Sequence, residues 1–236
     1  MKFGSLISTL SAAAMLAACA SPTSRFYTLG GGDARPAPVA ASSAAAFYFE
    51  LAPVDMPQQV AKNQLVVQTS GPQVRVLEEE RWASLPGDEV RRALSADLTQ
   101  QLGAIDVYGT PHPESVPVYR VKVNVRRFES WPGSQAVIDA VWSVRAAGSD
   151  TVLTCRTVAQ ERVDAGYDAL VEGHRKAVDT LASAISAGVR SLSALPSTTS
   201  APVASAKGKN SANAKPAAAP VLPCPSTNGA TTASAQ

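Results

Sequence analysis

Three runs of alternating residues between positions 118 and 163 constrain the fold of this chain more than any other feature. VYRVKVNVRRFES places apolar side chains on one face and polar side chains on the other, as a half-buried strand does. AVIDAVWSVRA and DTVLTCRTVAQERV continue with the same two-residue period. Phe128 breaks the phase of the first run, which indicates a bulge or the end of the strand. The connections are too short for crossover helices, so the sequence predicts an antiparallel meander.

Two other stretches have helical spacing. Apolar residues recur every four positions across residues 90–102, where Pro86 suits a first turn and Gly103 supplies an end signal. A continuous apolar stripe from about Tyr167 to Leu195 predicts a long C-terminal helix. Shorter runs upstream add strands, two of them around a Ser-Gly-Pro turn. We therefore predict an α/β domain in which a mixed sheet, containing the meander, is covered by these two helices.

The first 18 residues have the organisation of a bacterial export signal and are too short to span a membrane. Two cleavage sites compete at their end. Leu16, Ala17, Ala18 and Cys19 match the bacterial lipobox, which predicts cleavage before Cys19 and attachment of diacylglycerol and N-acyl lipid to it. Cleavage after Ala20, at an A-x-A site, would instead release a soluble protein. We favour acylation because all four lipobox positions match and polar sequence follows.

The composition divides the chain into four parts. We predict a lipoprotein signal peptide at 1–18, a lipid-anchored flexible tether at 19–46, a folded domain at 47–195 and a disordered Ala/Ser/Pro-rich tail at 196–236. A β-prone run at 26–29 interrupts the tether and could form an edge strand.

Charge excludes one class of partner. Residues 47–195 carry 15 basic and 18 acidic side chains, so the predicted domain is mildly acidic although the whole chain is at +2. A nucleic-acid-binding domain needs a basic surface, and we predict no nucleic-acid partner.

The residues that carry catalysis or bind metals are scarce. His174 lies on the apolar face of the last helix and is interpreted as structural. Cys155 is interpreted as a buried free thiol, although a disulfide with Cys224 stays open because the periplasm permits it. Glu78 to Glu80 are interpreted as a solvated charged turn, and Arg126-Arg127 is weak evidence for phosphate binding. With no catalytic motif and no metal-ligand spacing, we predict no enzyme, no metal and no cofactor other than the lipid on Cys19.

Several motifs occur in an order that resembles the PqiC-like family of ABC-type transport auxiliary lipoproteins. The lipobox cysteine is followed by a Phe-Tyr-Thr-Leu run and a Leu-Val-Val strand. RWASL at 81–85 then precedes the first helix, RRFE at 126–129 ends a strand, and YDALV at 167–171 opens the last helix. The resemblance spans residue 26 to about residue 195.

This resemblance implies an outer-membrane lipoprotein that faces the periplasm and has no enzymatic activity. Its partners would be a periplasmic MCE-domain protein and inner-membrane transporter components, which together move lipids between the membranes and support envelope integrity. The resemblance also implies a homo-oligomer.

Three aromatic residues are candidates for a partner or subunit interface, namely Phe26, Tyr27 and Trp82. Tryptophan is common at interface hot spots, but packing in the core is the favoured interpretation for Trp82. Two other functions stay open. One is a structural or pilot lipoprotein for another outer-membrane assembly or secretion machine, and the other is a periplasmic hydrolase.

Overall fold

A computed structural model describes residues 23–30, 46–195 and 222–225 of the chain. Within these residues the elements are β1 (Arg25–Tyr27), β2 (Tyr48–Leu51), β3 (Gln64–Ser70), β4 (Gln73–Trp82), α1 (Pro86–Leu102), β5 (Val118–Trp131), β6 (Gln135–Ala146), β7 (Val152–Arg162) and α2 (Tyr167–Ser193). Neither helix in this part of the chain is long and apolar enough to cross a membrane.

The strands form two mixed sheets. The first sheet has the order β1-β4-β3, with β1 parallel to β4 and β4 antiparallel to β3. The second sheet has the order β2-β5-β6-β7, where β2 is parallel to β5 and the last three strands form the antiparallel meander. The predicted α/β fold class is confirmed, with the strands divided between two sheets instead of one. A bulge between Val125 and Arg127 explains the phase break before Phe128.

The core lies between the second sheet and the helices. Helix α2 packs on β6 and β7, and α1 packs beside α2. Trp142 on β6 is almost completely buried beneath α2, and its indole N–H donates to Thr157 Oγ1 at 2.9 Å. Helix α1 ends where predicted, because Gly103 adopts a left-handed conformation and its N–H bonds to the Thr99 carbonyl.

Close packing of α2 on the sheet depends on Gly188. A Cβ atom there would lie 2.8 Å from the Trp142 ring and 3.0 Å from a methyl of Leu153. We expect Gly188→Val to lower the free energy of unfolding by about 2–3 kcal/mol, because a buried ring and a neighbouring leucine must move. Urea denaturation checks this. Ser191→Val, at an exposed position of the same helix, should change it by well under 1 kcal/mol, and an equal loss in both variants would contradict the packing argument.

The predicted 19–46 tether and the 47–195 domain boundary need correction. Residues 23–30 belong to the folded domain, since β1 pairs with β4 and both Tyr27 and Leu29 are buried in the main core. The edge-strand interpretation of the β-prone run at 26–29 is confirmed by β1. The boundary was wrong because a three-residue strand is too short to show whether it belongs to the domain. The part of the chain that the structure describes does not include residues 1–22 or 31–45, where the signal peptide, the lipobox residues and the rest of the predicted tether lie.

The predicted 196–236 tail is corrected at one place. Cys224 forms a disulfide with Cys155, and Leu222 packs against the core. The preferred interpretation of Cys155 as a free thiol was wrong. Its side chain does point inward, as the strand phase predicts, but β7 is the edge strand of the second sheet. An inward-facing residue on an edge strand can be reached from the side, and Cys224 itself is exposed.

Candidate functional site: the docked N-terminal segment

Residues 23–30, here called the docked segment, begin four positions after Cys19. Its strand β1 lies parallel to the end of β4, with Arg25 opposite Glu80 and Tyr27 opposite Trp82. The Ala83 N–H donates to the Tyr27 carbonyl at 2.7 Å, which continues the backbone pairing.

Glu80 fixes the strand through its side chain. The carboxylate accepts a hydrogen bond of 2.6 Å from the Tyr27 hydroxyl and is paired with the Arg25 guanidinium, whose Nε lies 3.0 Å away. Just before the strand, the Ser24 hydroxyl donates to Glu79 at 2.7 Å. Burial raises the pKa of Tyr27 above its usual range, and the hydrogen bond to Glu80 adds to the shift, so the hydroxyl keeps its proton.

Glu89, in the first turn of α1, binds the segment just after the strand. One carboxylate oxygen accepts from the Thr28 hydroxyl at 2.7 Å and from the Leu29 N–H at 3.0 Å. The other accepts from the Ser84 N–H at 3.1 Å and from Arg92 at 2.7 Å. The Glu89 side chain is fully buried.

The ionisation of Glu89 depends on these donors. Burial alone would raise the pKa of its carboxyl, but hydrogen bonds from Ser84, Thr28 and the Leu29 amide, together with Arg92, hold the pKa below its usual range. The charged form is therefore the one that binds the docked segment.

Helix α2 binds the same stretch from the other side. Arg175 donates to the Leu29 carbonyl at 3.2 Å and to the Thr28 carbonyl at 2.9 Å. A carboxylate on one helix thus takes the donors of residues 28–29, while a guanidinium on the other helix takes their acceptors. Glu80, Glu89 and Arg175 are here called the clamp.

The clamp limits how far the domain can lie from Cys19. Five residue steps separate Cys19 from Ser24, so their Cα atoms are at most about 18 Å apart. A free tether up to residue 46 would have allowed about 90 Å. The Cα atom of Cys19 therefore lies within about 18 Å of Ser24, whose hydroxyl contacts the first sheet at Glu79.

The three predicted interface aromatics separate in the structure. Trp82 and Tyr27 are buried in the chain's own core, which is the packing alternative favoured for Trp82, whereas Phe26 is 66% exposed. Only Phe26 of the three presents its ring to solvent.

The clamp residues were missed by sequence reasoning. Glu78 to Glu80 were interpreted as a solvated turn, but they lie in β4, and Glu80 is buried. Its partner Arg25 lies 55 positions away in the sequence. No local pattern marks Glu80, Glu89 or Arg175. A buried carboxylate at a helix start is recognisable only once its distant donors are known.

Ser130 and His174 form the pair closest in type to a catalytic dyad. The Ser130 hydroxyl and His174 Nε2 are 2.8 Å apart, and both residues are buried. The imidazole stacks on Phe128 with ring centroids 4.1 Å apart and meets the edge of Trp82. No group in the described residues hydrogen-bonds Nδ1, so no carboxylate orients the ring. Burial lowers the pKa of His174 to about 3, which makes it a poor base at neutral pH.

His174 makes the stability of the fold depend on pH. The folded pKa of about 3 lies below the value of about 6.5 in the unfolded chain, so only the unfolded chain binds this proton between those values. The contribution of the neutral His174 to the free energy of unfolding is fully present above pH 6.5. It falls by about 1.4 kcal/mol for each pH unit below that value. Between pH 7 and pH 4.5, the free energy of unfolding should fall by about 2–3 kcal/mol less in His174→Gln than in the natural chain. Urea denaturation at the two pH values measures this difference.

The matched control for this prediction is Ser130→Ala. It removes the hydrogen bond but keeps the imidazole, so it should be less stable throughout and retain the pH dependence of the natural chain. Parallel stability curves for His174→Gln and the natural chain would contradict the account.

An open cleft of about 600 Å³ lies along the polar face of the second sheet. Lys122, Asn124, Ser143 and Thr154 contribute ammonium, amide and hydroxyl groups to its wall. Within the described ranges no group of His, Cys, Asp and Glu side chains is arranged to hold a metal ion. The Arg126-Arg127 pair, which is weak evidence for phosphate binding in the sequence, lies on β5. Arg127 is paired with Glu129 at 2.8 Å, and Arg126 is exposed.

The fold and the docked segment define a two-sheet α/β domain whose N-terminal strand begins six positions after Cys19. The family model for the ABC-type transport auxiliary lipoprotein component matches residues 27–186, and the chain belongs to this family. The matched range begins inside the docked segment, which agrees with its place in the domain.

Solved structures support the fold. The chain aligns with the crystal structure of an uncharacterized protein at a TM-score of 0.56 and 21% identity, over 71% of this chain and 99% of that one. It aligns with a DUF330 protein from Xanthomonas campestris at a TM-score of 0.50 and 14% identity, over 62% of this chain and 88% of that one. No curated protein matches the sequence.

Proposed function

We propose that this chain is a non-catalytic outer-membrane lipoprotein that faces the periplasm and serves an MCE/ABC-type intermembrane lipid transport system. Its lipid would be diacylglycerol and an N-acyl chain on Cys19. Its partners would be a periplasmic MCE-domain protein and inner-membrane transporter components, and it would act as a homo-oligomer. Membership of the transport auxiliary lipoprotein family supports this role.

The docked segment is the observation that carries the proposal. Leu16, Ala17, Ala18 and Cys19 match a lipobox, and the clamp binds the chain from Arg25 onward. A lipid on Cys19 would therefore keep the domain close to the membrane, because only five residue steps separate Cys19 from Ser24.

A non-catalytic role agrees with the chemistry of the interior. The Ser130–His174 pair is sealed between Phe128, Trp82 and α2, without access for a substrate.

Replacing the acylated residue tests the anchor. We expect Cys19→Ser to prevent acylation, because serine has no thiolate for lipid transfer. The protein should then stay unprocessed, with its signal peptide, or be released in soluble form by cleavage after Ala20. Fractionation and the mass of the mature protein check this. Cys224→Ser is the matched control, since it also removes a cysteine but should leave the protein in the membrane. Unchanged attachment and mass in Cys19→Ser would contradict the proposal.

The transport role has its own test. The full-length lipoprotein, purified in detergent, should co-purify with an MCE-domain protein of the same cell and run as an oligomer. A monomer that binds no MCE-domain protein would contradict the transport role, and the acylation result would still stand.

A further inference from the structure

The exposed end of the β3–β4 hairpin lies in the direction from which the chain enters the domain. Residues 69–76 are here called the hairpin tip. We propose that the hairpin tip is a second membrane contact, which lies against the phospholipid surface that holds the acyl chains of Cys19. This inference rests on the proposed acylation of Cys19.

The direction of β1 shows from which side the chain enters the domain. Because β1 is parallel to β4, the chain that leads into Arg25 comes from the same side as the start of β4. Arg25 pairs with Glu80, which lies 55 positions later in the sequence. Ser24 is hydrogen-bonded to Glu79, also 55 positions later, so the parallel alignment continues back to Ser24. The start of β4 is the hairpin tip, so the chain enters β1 from the side of the tip.

The reach of the chain from Arg25 to Cys19 can be compared with the length of β4. Six residue steps separate Arg25 from Cys19 and span at most about 22 Å. Seven residue steps separate Glu80 from Gln73 at the start of β4, and the strand covers about 23 Å over them. The tip therefore extends at least as far from the clamp as Cys19 can reach. Acyl chains on Cys19 cannot enter a bilayer on that side unless the tip meets its surface.

The chemistry of the tip suits a phospholipid surface. Val74 is 46% exposed and Val76 is 38% exposed, and both are on β4. Residues 68–77 contain no acidic side chain and one basic side chain, Arg75, which is exposed. The acidic side chains of β4 begin at Glu78, farther from the proposed surface. Exposed valines beside an arginine can enter the headgroup region while the guanidinium meets lipid phosphates.

A fluorescent probe on the tip tests the inference in the full-length, acylated protein. Cys19 would carry lipid, and Cys155 is paired with Cys224, so an introduced cysteine is the thiol available for an environment-sensitive dye. Val76→Cys and Val158→Cys are matched, since the two valines are 38% and 37% exposed. Val158 lies on β7 in the other sheet. Val74→Cys reports the outer end of the tip, and Phe26→Cys reports the clamp end of the first sheet.

The labelled proteins are reconstituted with vesicles of phosphatidylethanolamine and phosphatidylglycerol that carry a lipid-bound quencher. We expect quenching at residues 74 and 76 at least twofold stronger than at residue 158, with residue 74 the most quenched. Residue 26 should be quenched less than either tip position despite its greater exposure.

Vesicle flotation and the mass of the N-terminal peptide are recorded on the same samples. Acylated protein that floats with equal quenching at residues 76 and 158 would overturn the tip contact alone. Protein that is not acylated would overturn both the anchor and the tip contact. A dye shift at the tip without vesicles, growing with oligomer mass, would assign the surface to a second copy of the chain and overturn the lipid contact.

Discussion

Glu89→Ala is expected to release the docked segment and to lower the free energy of unfolding by about 3–4 kcal/mol. The carboxylate accepts hydrogen bonds from the Leu29 and Ser84 amides and from the Thr28 hydroxyl, and it is fully buried. Alanine leaves these buried or partly buried donors without their acceptor. The loss is therefore larger than that of an ordinary hydrogen bond.

Two measurements check the Glu89 prediction. Urea denaturation gives the loss of stability, and hydrogen exchange gives its location. Amides of residues 24–29 should exchange faster in the variant than those of the β5–β7 meander, because the clamp holds the first group only. Arg175→Ala should produce the same local pattern with a smaller loss, since its partners Thr28 and Leu29 are backbone acceptors.

Asp88→Asn is the control for Glu89. It lies in the same first turn of α1, but its side chain is exposed. Removing its charge changes the interaction with the helix dipole by well under 1 kcal/mol. Equal losses at the two positions, or exchange spread evenly over the domain in Glu89→Ala, would contradict the clamp.

Cys224→Ser is expected to lower the free energy of unfolding by about 2–4 kcal/mol. The disulfide joins residues 69 positions apart. A cross-link of that span restricts the unfolded chain by about 4 kcal/mol in the chain-entropy treatment, and measured effects are commonly smaller. Cys224 is exposed, so serine there removes the cross-link without placing a hydroxyl in the core.

Reduction provides the internal control for Cys224. Dithiothreitol should destabilise the natural chain by about the same amount and leave Cys224→Ser unchanged. Equal sensitivity of the two proteins to dithiothreitol, or equal stability without it, would contradict a structural role for the bond.

The elements with a clear period were predictable from sequence. The helix predicted from about Tyr167 to Leu195 is observed as Tyr167–Ser193, and the three alternating runs form the predicted meander. These segments are long enough that one buried face determines the pattern of apolar residues. Local chemistry is then sufficient to identify them.

The docked segment and the disulfide depend on distant partners. The docked segment is held by side chains 53 to 147 positions away, so no window of local sequence contains both sides of the contact. The alternation of residues along β7 correctly predicts that the Cys155 side chain points inward. Whether a distant cysteine can reach it depends on the position of β7 at the edge of the sheet. Sheet order is a property of the whole fold.

The mass of the N-terminal tryptic peptide from membrane-purified protein shows directly whether Cys19 carries lipid. Trypsin cuts after Arg25, so cleavage before Cys19 gives CASPTSR, residues 19–25. The account predicts this peptide with diacylglycerol and one further acyl chain on Cys19. An unmodified SPTSR peptide, which begins at Ser21 after cleavage behind Ala20, would show that the protein is not lipid-anchored and would contradict the account.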